Sequence, residues 1–222
     1  MIPLSDDNPT RTRPVVSWAL IGACVLVFLW QFSLPREAGQ AMIYALGLIP
    51  ARLLEGAQLP PSLDVLPAYA TVFSSMFLHG GVLHLLGNML YLWIFADNVE
   101  DRMGRGRFLA FYFICGVAAA AAQAVPEPSS EIPMVGASGA ISGVLGAYLL
   151  MFPSAQVVVL VPLGFLFPVI RLPALLVLGL WFGLQLLQSV GQAAGGGVAF
   201  RAHVGGFLAG LALAPLLARR RG

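Results

Sequence analysis

Six long apolar stretches organise this chain, separated by polar or proline-broken segments. They cover about residues 15–32, 82–96, 108–125, 135–152, 172–190 and 199–217. Several reach the roughly 17–25 residues with which an α-helix crosses a bilayer. Residues 1–14 are polar, with Arg11 and Arg13 just before the first run. A signal-peptide core is only about 7–15 residues long. The first run is longer and no clear cleavage site follows, so it predicts a retained helix. Residues 33–81 are mixed and carry Pro35, Pro50, Pro60, Pro61 and Pro67. They are too broken to span and too apolar for a plain linker. They predict short amphipathic helices at the membrane surface. A charged cluster, Asp97–Arg107, closes the second run, and Pro126–Pro133 is a short polar loop. Pro153–Pro173 reads as an apolar connector interrupted by Pro162 and Pro168, and the composition of Gly191–Gly197 predicts a flexible glycine loop. No internal repeat stands out. The pattern predicts an all-α membrane protein: one six-helix bundle over residues 15–218 with a long first external loop. A tail of residues 1–14 precedes it and an arginine-rich tail of residues 219–222 follows.

Composition sharpens this. Hydrophobic residues make up 59% of the 222, charged residues only 10%, and mean hydropathy is +0.86. A soluble domain carries about 25% charged residues, and a chain this apolar could not cover a water-facing surface. The cations are 12 arginines, with no lysine and no basic stripe interleaved with aromatics, which argues against nucleic acid. Cys24 and Cys115 lie inside apolar runs without a CxxC motif or a Cys/His cluster, which reads as packing. Six spans put both termini on one side. Arg11, Arg13, Arg102, Arg105, Arg107, Arg171 and Arg219–Arg221 fall on one face, nine against the three of Arg36, Arg52 and Arg201. The positive-inside rule makes the nine-arginine face, and with it both termini, cytoplasmic.

Polar residues inside apolar runs are costly there and mark function. Ser138 lies at the outer start of the fourth run, in Gly136-Ala137-Ser138-Gly139. Small neighbours leave its hydroxyl accessible. The same residues, with Ser142, Gly143 and Gly146, also fit a small-residue packing stripe. His203 shares one helix face with Gly206 and Gly210, whose spacing permits close approach of another helix; a structural histidine bonded to a carbonyl fits as well. His84 and Asn88 are one turn apart on one face of the second run, suited to donating hydrogen bonds or to gluing helices together. His79, just upstream, reads as structural. Ser138, His203, His84 and Asn88 fall at one depth on three helices, which implies a single wet cavity. A nucleophile, a base and two side-chain donors are the parts for acyl transfer. Three histidines without a carboxylate in a span make a poor zinc set, so no metal and no cofactor is expected.

Together these motifs resemble the rhomboid intramembrane serine proteases. The resemblance rests on Gly136-Ala137-Ser138-Gly139, on His84-x-x-x-Asn88 within Phe77-Leu78-His79-Gly80-Gly81-Val82-Leu83-His84, and on Ala202-His203 followed by Gly206 and Gly210. It covers about Val15–Leu217. It implies a six-helix rhomboid-like core in which Ser138 is nucleophile and His203 general base, with no aspartate completing a triad. It also implies an oxyanion hole of His84, Asn88 and the Ser138 backbone N–H, with Gly136, Gly139, Ser142, Gly206 and Gly210 supporting the site. Two positions depart from the family. Many members carry Trp-Arg in the first loop, for which Arg52 is only a loose counterpart. Members often place an aromatic four residues after the nucleophile, where this chain has Ser142. The expected activity is endoproteolysis of other proteins' transmembrane helices near the outer face, in a multi-pass protein of a bacterial inner membrane. Its partners would be those substrates and the lipid bilayer. An inactive rhomboid-like protein that binds client helices is the first alternative, although such proteins typically lose the serine or histidine. A small transporter is the second, and it predicts paired carboxylates or repeat symmetry, neither of which the sequence shows.

Overall fold

The computed structural model describes residues 1–162, 164–190 and 199–219. The glycine loop at 191–197 and the tail arginines Arg220 and Arg221 lie outside the described residues. The helices are α1 (Val15–Ser33), α2 (Arg36–Leu46), α3 (Pro50–Leu54), α4 (Thr71–Ser74), α5 (Val82–Met103), α6 (Arg105–Ala124), α7 (Ser138–Met151), α8 (Ala174–Val190) and α9 (Phe200–Leu217). The strands are β1 (Ile2–Asp6), β2 (Gln156–Leu160) and β3 (Val169–Pro173). Helices α1, α5, α6 and α9 are long and apolar enough to cross a membrane, whereas α7 and α8 are apolar but shorter, at 14 and 17 residues.

Helix α7 is the hub. Every residue from Gly139 to Tyr148 is buried, as expected of a helix without a polar face. It packs on α5, α6, α8 and, most extensively, α9. The α7–α9 crossing brings main chain against main chain. A Cβ on Gly206 would run into the Gly139 carbonyl, one on Gly210 into the Gly143 carbonyl, and one on Gly146 into the Phe207 carbonyl. The small-residue stripe read from the sequence is therefore real, and it fixes how closely the Ser138 and His203 helices approach.

At the far end of α7 the chain is not all-α. Strands β1, β2 and β3 form an antiparallel sheet in that order, pairing Ile2 with Leu160 and Val157 with Leu172. This corrects two expectations. Residues 2–6 are a strand rather than a plain tail, and the 153–173 connector is a β-hairpin whose last residues, Leu172 and Pro173, belong to β3 rather than to the fifth helix. Val157–Val159 is a β-branched run bounded by turns, and β1 completes its pairing from far away in sequence, with Asp6 opposite Val157 and Ile2 opposite Leu160. Asp6 accepts a hydrogen bond from the Tyr148 hydroxyl on α7, which ties β1 to the hub. Burial raises the Asp6 carboxyl above its ordinary pKa.

The same end holds α1. That helix starts at Pro14 with no side-chain cap of its own, so its first amides need partners from elsewhere. Glu100, buried near the end of α5, accepts from the Val16 amide (3.0 Å), the Ser17 amide (2.8 Å) and the Ser17 hydroxyl (2.7 Å). A carboxylate at a helix N-terminus also complements the helix dipole. The Arg219 amide bonds the Arg102 carbonyl at 3.0 Å and Thr12 bonds Asp101. Thr12, just ahead of α1, and Arg219, just after α9, thus both meet the α5–α6 turn.

The long segment after α1 forms short helices, as its mixed pattern predicted. Arg52 anchors it, since its buried guanidinium pairs with Asp64 and donates to the Leu66 carbonyl. The segment is stitched to the stretch leading into α7 by reciprocal Leu48–Met134 backbone bonds (3.0 and 2.7 Å) and by the Gly136 amide on the Ser75 carbonyl (2.9 Å).

Candidate active site

The site lies at the opposite end of the bundle from the sheet. Ser138 is the first residue of α7, His84 is the third residue of α5 and His203 the fourth of α9, so all three lie in the first turns of their helices. Helix starts thus converge at one depth, as the sequence indicated. The Ser138 hydroxyl is 2.9 Å from Nε2 of His203. The other ring nitrogen, Nδ1, is 2.7 Å from Oε1 of Gln185 on α8. An amide oxygen can only accept, so Nδ1 carries the hydrogen and Nε2 is free to accept from the serine.

His84 and Asn88 face the same point. The Gly80 amide donates to Nδ1 of His84 at 3.2 Å, so the His84 proton sits on Nε2. The side-chain nitrogen of Asn88 is buried and has no hydrogen-bond partner among the described residues. Both donors converge on Gly136, since a Cβ built there would lie 2.8 Å from Cε1 and 2.9 Å from Nε2 of His84, and 3.7 Å from the Asn88 nitrogen. Gly136 has φ of +124°, which L side chains rarely adopt. The missing side chain leaves a small space lined by two donors beside Ser138. The Ser138 amide is among the first-turn N–H groups of α7, which have no intrahelical partner, and α7 has no side-chain cap.

Ser142 is buried and donates to the Ser138 carbonyl at 2.7 Å, bonding back one turn in its own helix. No aromatic therefore sits on α7 under His203. Trp181 of α8 takes that place, its ring 6.0 Å from the imidazole and tilted by 33°. Gln185 and Trp181 are the residues that the sequence reading missed. Gln185 is a polar side chain inside an apolar run, the feature used to find the others.

A cleft of about 870 Å³ reaches Ser138 and His203, lined also by His84, Asn88, Gln123 and Glu127. Arg201 pairs with Glu127 at 2.5 Å, and the Ala202 amide bonds Gln123 at 3.3 Å, which pins the start of α9 to the end of α6. His79 is fully buried off the reacting groups, 5.2 Å from His84 ring to ring. Gln31 of α1 holds its backbone, donating to the His79 carbonyl at 2.9 Å. Burial, and secondarily His84, pushes His79 down to about 4. Among the described residues no three His, Cys, Asp or Glu side chains gather as a metal site, and Cys24 and Cys115 are buried free thiols.

The family whose signature matches is the rhomboid domain, over residues 67–220. The chain is 35% identical over 136 residues to Rhomboid protease GluP of Bacillus subtilis (strain 168), covering 61% of this chain and 24% of that protein. It is 30% identical over 158 residues to Rhomboid protein 1, mitochondrial, of Saccharomyces cerevisiae, covering 67% of this chain and 42% of the relative. It is 36% identical over 91 residues to Presenilin-associated rhomboid-like protein A, mitochondrial, of Danio rerio, covering 40% of this chain and 24% of the relative. The matched region is thus less than half of each of these proteins.

Proposed function

The chain belongs to the rhomboid family of membrane proteins, whose members are generally intramembrane serine proteases, and from that premise we propose that it is itself an intramembrane serine endopeptidase. One observation carries the reading: the 2.9 Å contact between the Ser138 hydroxyl and Nε2 of His203, next to a buried, unpartnered amide donor. A serine hydroxyl is a weak nucleophile until a base takes its proton. His203 accepts that proton as Ser138 Oγ bonds to the scissile carbonyl carbon. The carbonyl oxygen becomes an oxyanion in the space beside Gly136, where the Ser138 amide, the His84 Nε2–H and the Asn88 amide group donate to it. His203 then passes its proton to the leaving amine. The acyl group stays on Ser138 until water, deprotonated by the same histidine, releases it.

Substrates would be transmembrane helices of other proteins. A helix hides its carbonyls in its own hydrogen bonds, so residues that weaken the helix near the scissile bond favour cleavage. The polar rim of Gln123, Glu127 and Ser130 admits the water that hydrolysis requires. Helices α7 and α8 join the four longer ones as the fourth and fifth of six spans in chain order. The nine-to-three arginine split makes the sheet end cytoplasmic and the site outer-facing, as in a bacterial inner-membrane protein.

The test is labelling of detergent-purified protein with a fluorophosphonate probe. Labelling in wild type and none in Ser138→Ala is the expected result. Absence of labelling in folded wild type would reject the protease in favour of a client-binding rhomboid relative.

A further inference from the structure

We infer that Gln185 is a positioning residue that sets the tautomer and orientation of His203, a role that rests on the protease reading above. The two hydrogen bonds on the imidazole, 2.7 Å to Gln185 Oε1 and 2.9 Å to Ser138 Oγ, are compatible with a single tautomer, Nδ1–H with Nε2 bare. Without an acceptor at Nδ1 the proton can sit on Nε2, facing Ser138. That form donates to the serine and cannot take its proton.

The way α8 is held supports the inference. Its buried residues are Ala174, Val177 and Leu178, all in its first turns. Farther along, α8 meets α9 through side chains around the histidine. Phe182 stacks on Phe207 at 4.3 Å, and Trp181 lies 6.1 Å from Phe207 and 6.0 Å from His203. Trp181 and Gln185 are one turn apart and so share a face of α8. One lies against the imidazole ring and the other bonds its distal nitrogen. Helix α7 supplies neither function, because Ser142 is hydrogen-bonded to its own helix. The acceptor is a neutral amide, so it orients the base without placing a further charge in a desolvated site.

The experiment uses the full chain in detergent and compares Gln185→Leu, which keeps bulk and removes the acceptor, with Gln185→Glu, which can only accept. Three quantities are measured: the rate of Ser138 labelling by a small fluorophosphonate, kcat and KM on a transmembrane substrate, and the thermal midpoint. Loss of one such hydrogen bond corresponds to about a tenfold effect. Gln185→Leu should therefore lose about tenfold in labelling rate and in kcat, with KM little changed, and Gln185→Glu should recover most of both. Folded Gln185→Leu labelling at the wild-type rate would overturn the inference, as would a Gln185→Glu as slow as the leucine variant. A change confined to KM would assign Gln185 to substrate contact instead. Should Gln185→Leu not fold, Gln185→Met makes the same comparison. If neither apolar variant folds while Gln185→Glu does, the residue is structural and the inference falls. Wild-type labelling that survives Ser138→Ala rejects the protease reading itself, an outcome that no Gln185 variant can imitate.

Discussion

Replacing Gly136 with alanine tests the oxyanion space without removing any polar group. The added methyl would sit 2.8 Å from Cε1 and 2.9 Å from Nε2 of His84. Carbon and nitrogen atoms rest about 3.5–4.0 Å apart, so the imidazole must retreat by about 0.6–1 Å. A donor moved that far no longer reaches the oxyanion, and losing one such donor costs about 10²–10³ in rate. The backbone adds a second penalty, because φ of +124° is strained for an L residue by about 1–3 kcal/mol. Gly136→Ala should therefore melt earlier and cleave a transmembrane substrate about 10²–10³ times more slowly per folded molecule, with the loss in kcat rather than KM. Gly104→Ala is the control. Its φ of +84° imposes the same kind of backbone strain at the α5–α6 turn, at the far end of the bundle from the donors, so it should lose stability without a comparable loss in kcat. Wild-type kcat in folded Gly136→Ala, or equal kcat losses in the two variants, would refute the placement of the oxyanion.

The side chains themselves should grade differently in a cleavage time course. Ser138→Ala and His203→Ala fall to background singly and together, because members of a catalytic unit are non-additive, whereas Asn88→Ala is slow but alive since other donors remain; full activity in folded His203→Ala rejects the dyad. Glu100→Ala leaves the Val16 and Ser17 donors without their acceptor, which should cost about 2–4 kcal/mol. Its thermal midpoint should drop well below that of Glu100→Gln, which keeps an accepting oxygen, and equal midpoints would contradict the cap. His79 is held neutral by burial and titrates at about 4, below the roughly 6.5 of an unfolded histidine. The unfolded chain binds more protons between those values, so stability is full above about pH 6.5. It falls as pH drops toward 4, by up to about 3 kcal/mol. Melts across that window should flatten in His79→Phe, and an unaltered slope would assign the acid sensitivity elsewhere. Reporters fused after Gly222 and inserted after Ser129 should report opposite faces of the membrane, the first cytoplasmic; the same face for both would sink the six-span topology.

The apolar runs, the arginine asymmetry and the polar residues at one depth are local properties, legible along the chain because a bilayer penalises each polar group by itself. Ser138, His203, His84 and Asn88 stood out for that reason, and the structure brings them to one cleft. The glycine spacing on the Ser138 and His203 helices was legible too, because close helix approach demands small residues whatever the partner. The sheet was not: Val157–Val159 reads as strand or helix in isolation, and β1 becomes a strand only when the folded bundle delivers it to that edge. Glu100 looked like part of a charged cluster closing a span, since nothing in its neighbourhood reveals that α1 starts without a cap 84 residues earlier. Gln185 was visible as a polar residue in an apolar run, yet its partner was not. Which nitrogen of His203 holds the proton depends on an oxygen delivered by another helix, and that pairing exists only once α8 and α9 are packed. Residue type and spacing chose the reacting groups; the direction of each hydrogen bond among them was decided by tertiary contacts, because a donor's orientation is a relation between helices and not a property of either.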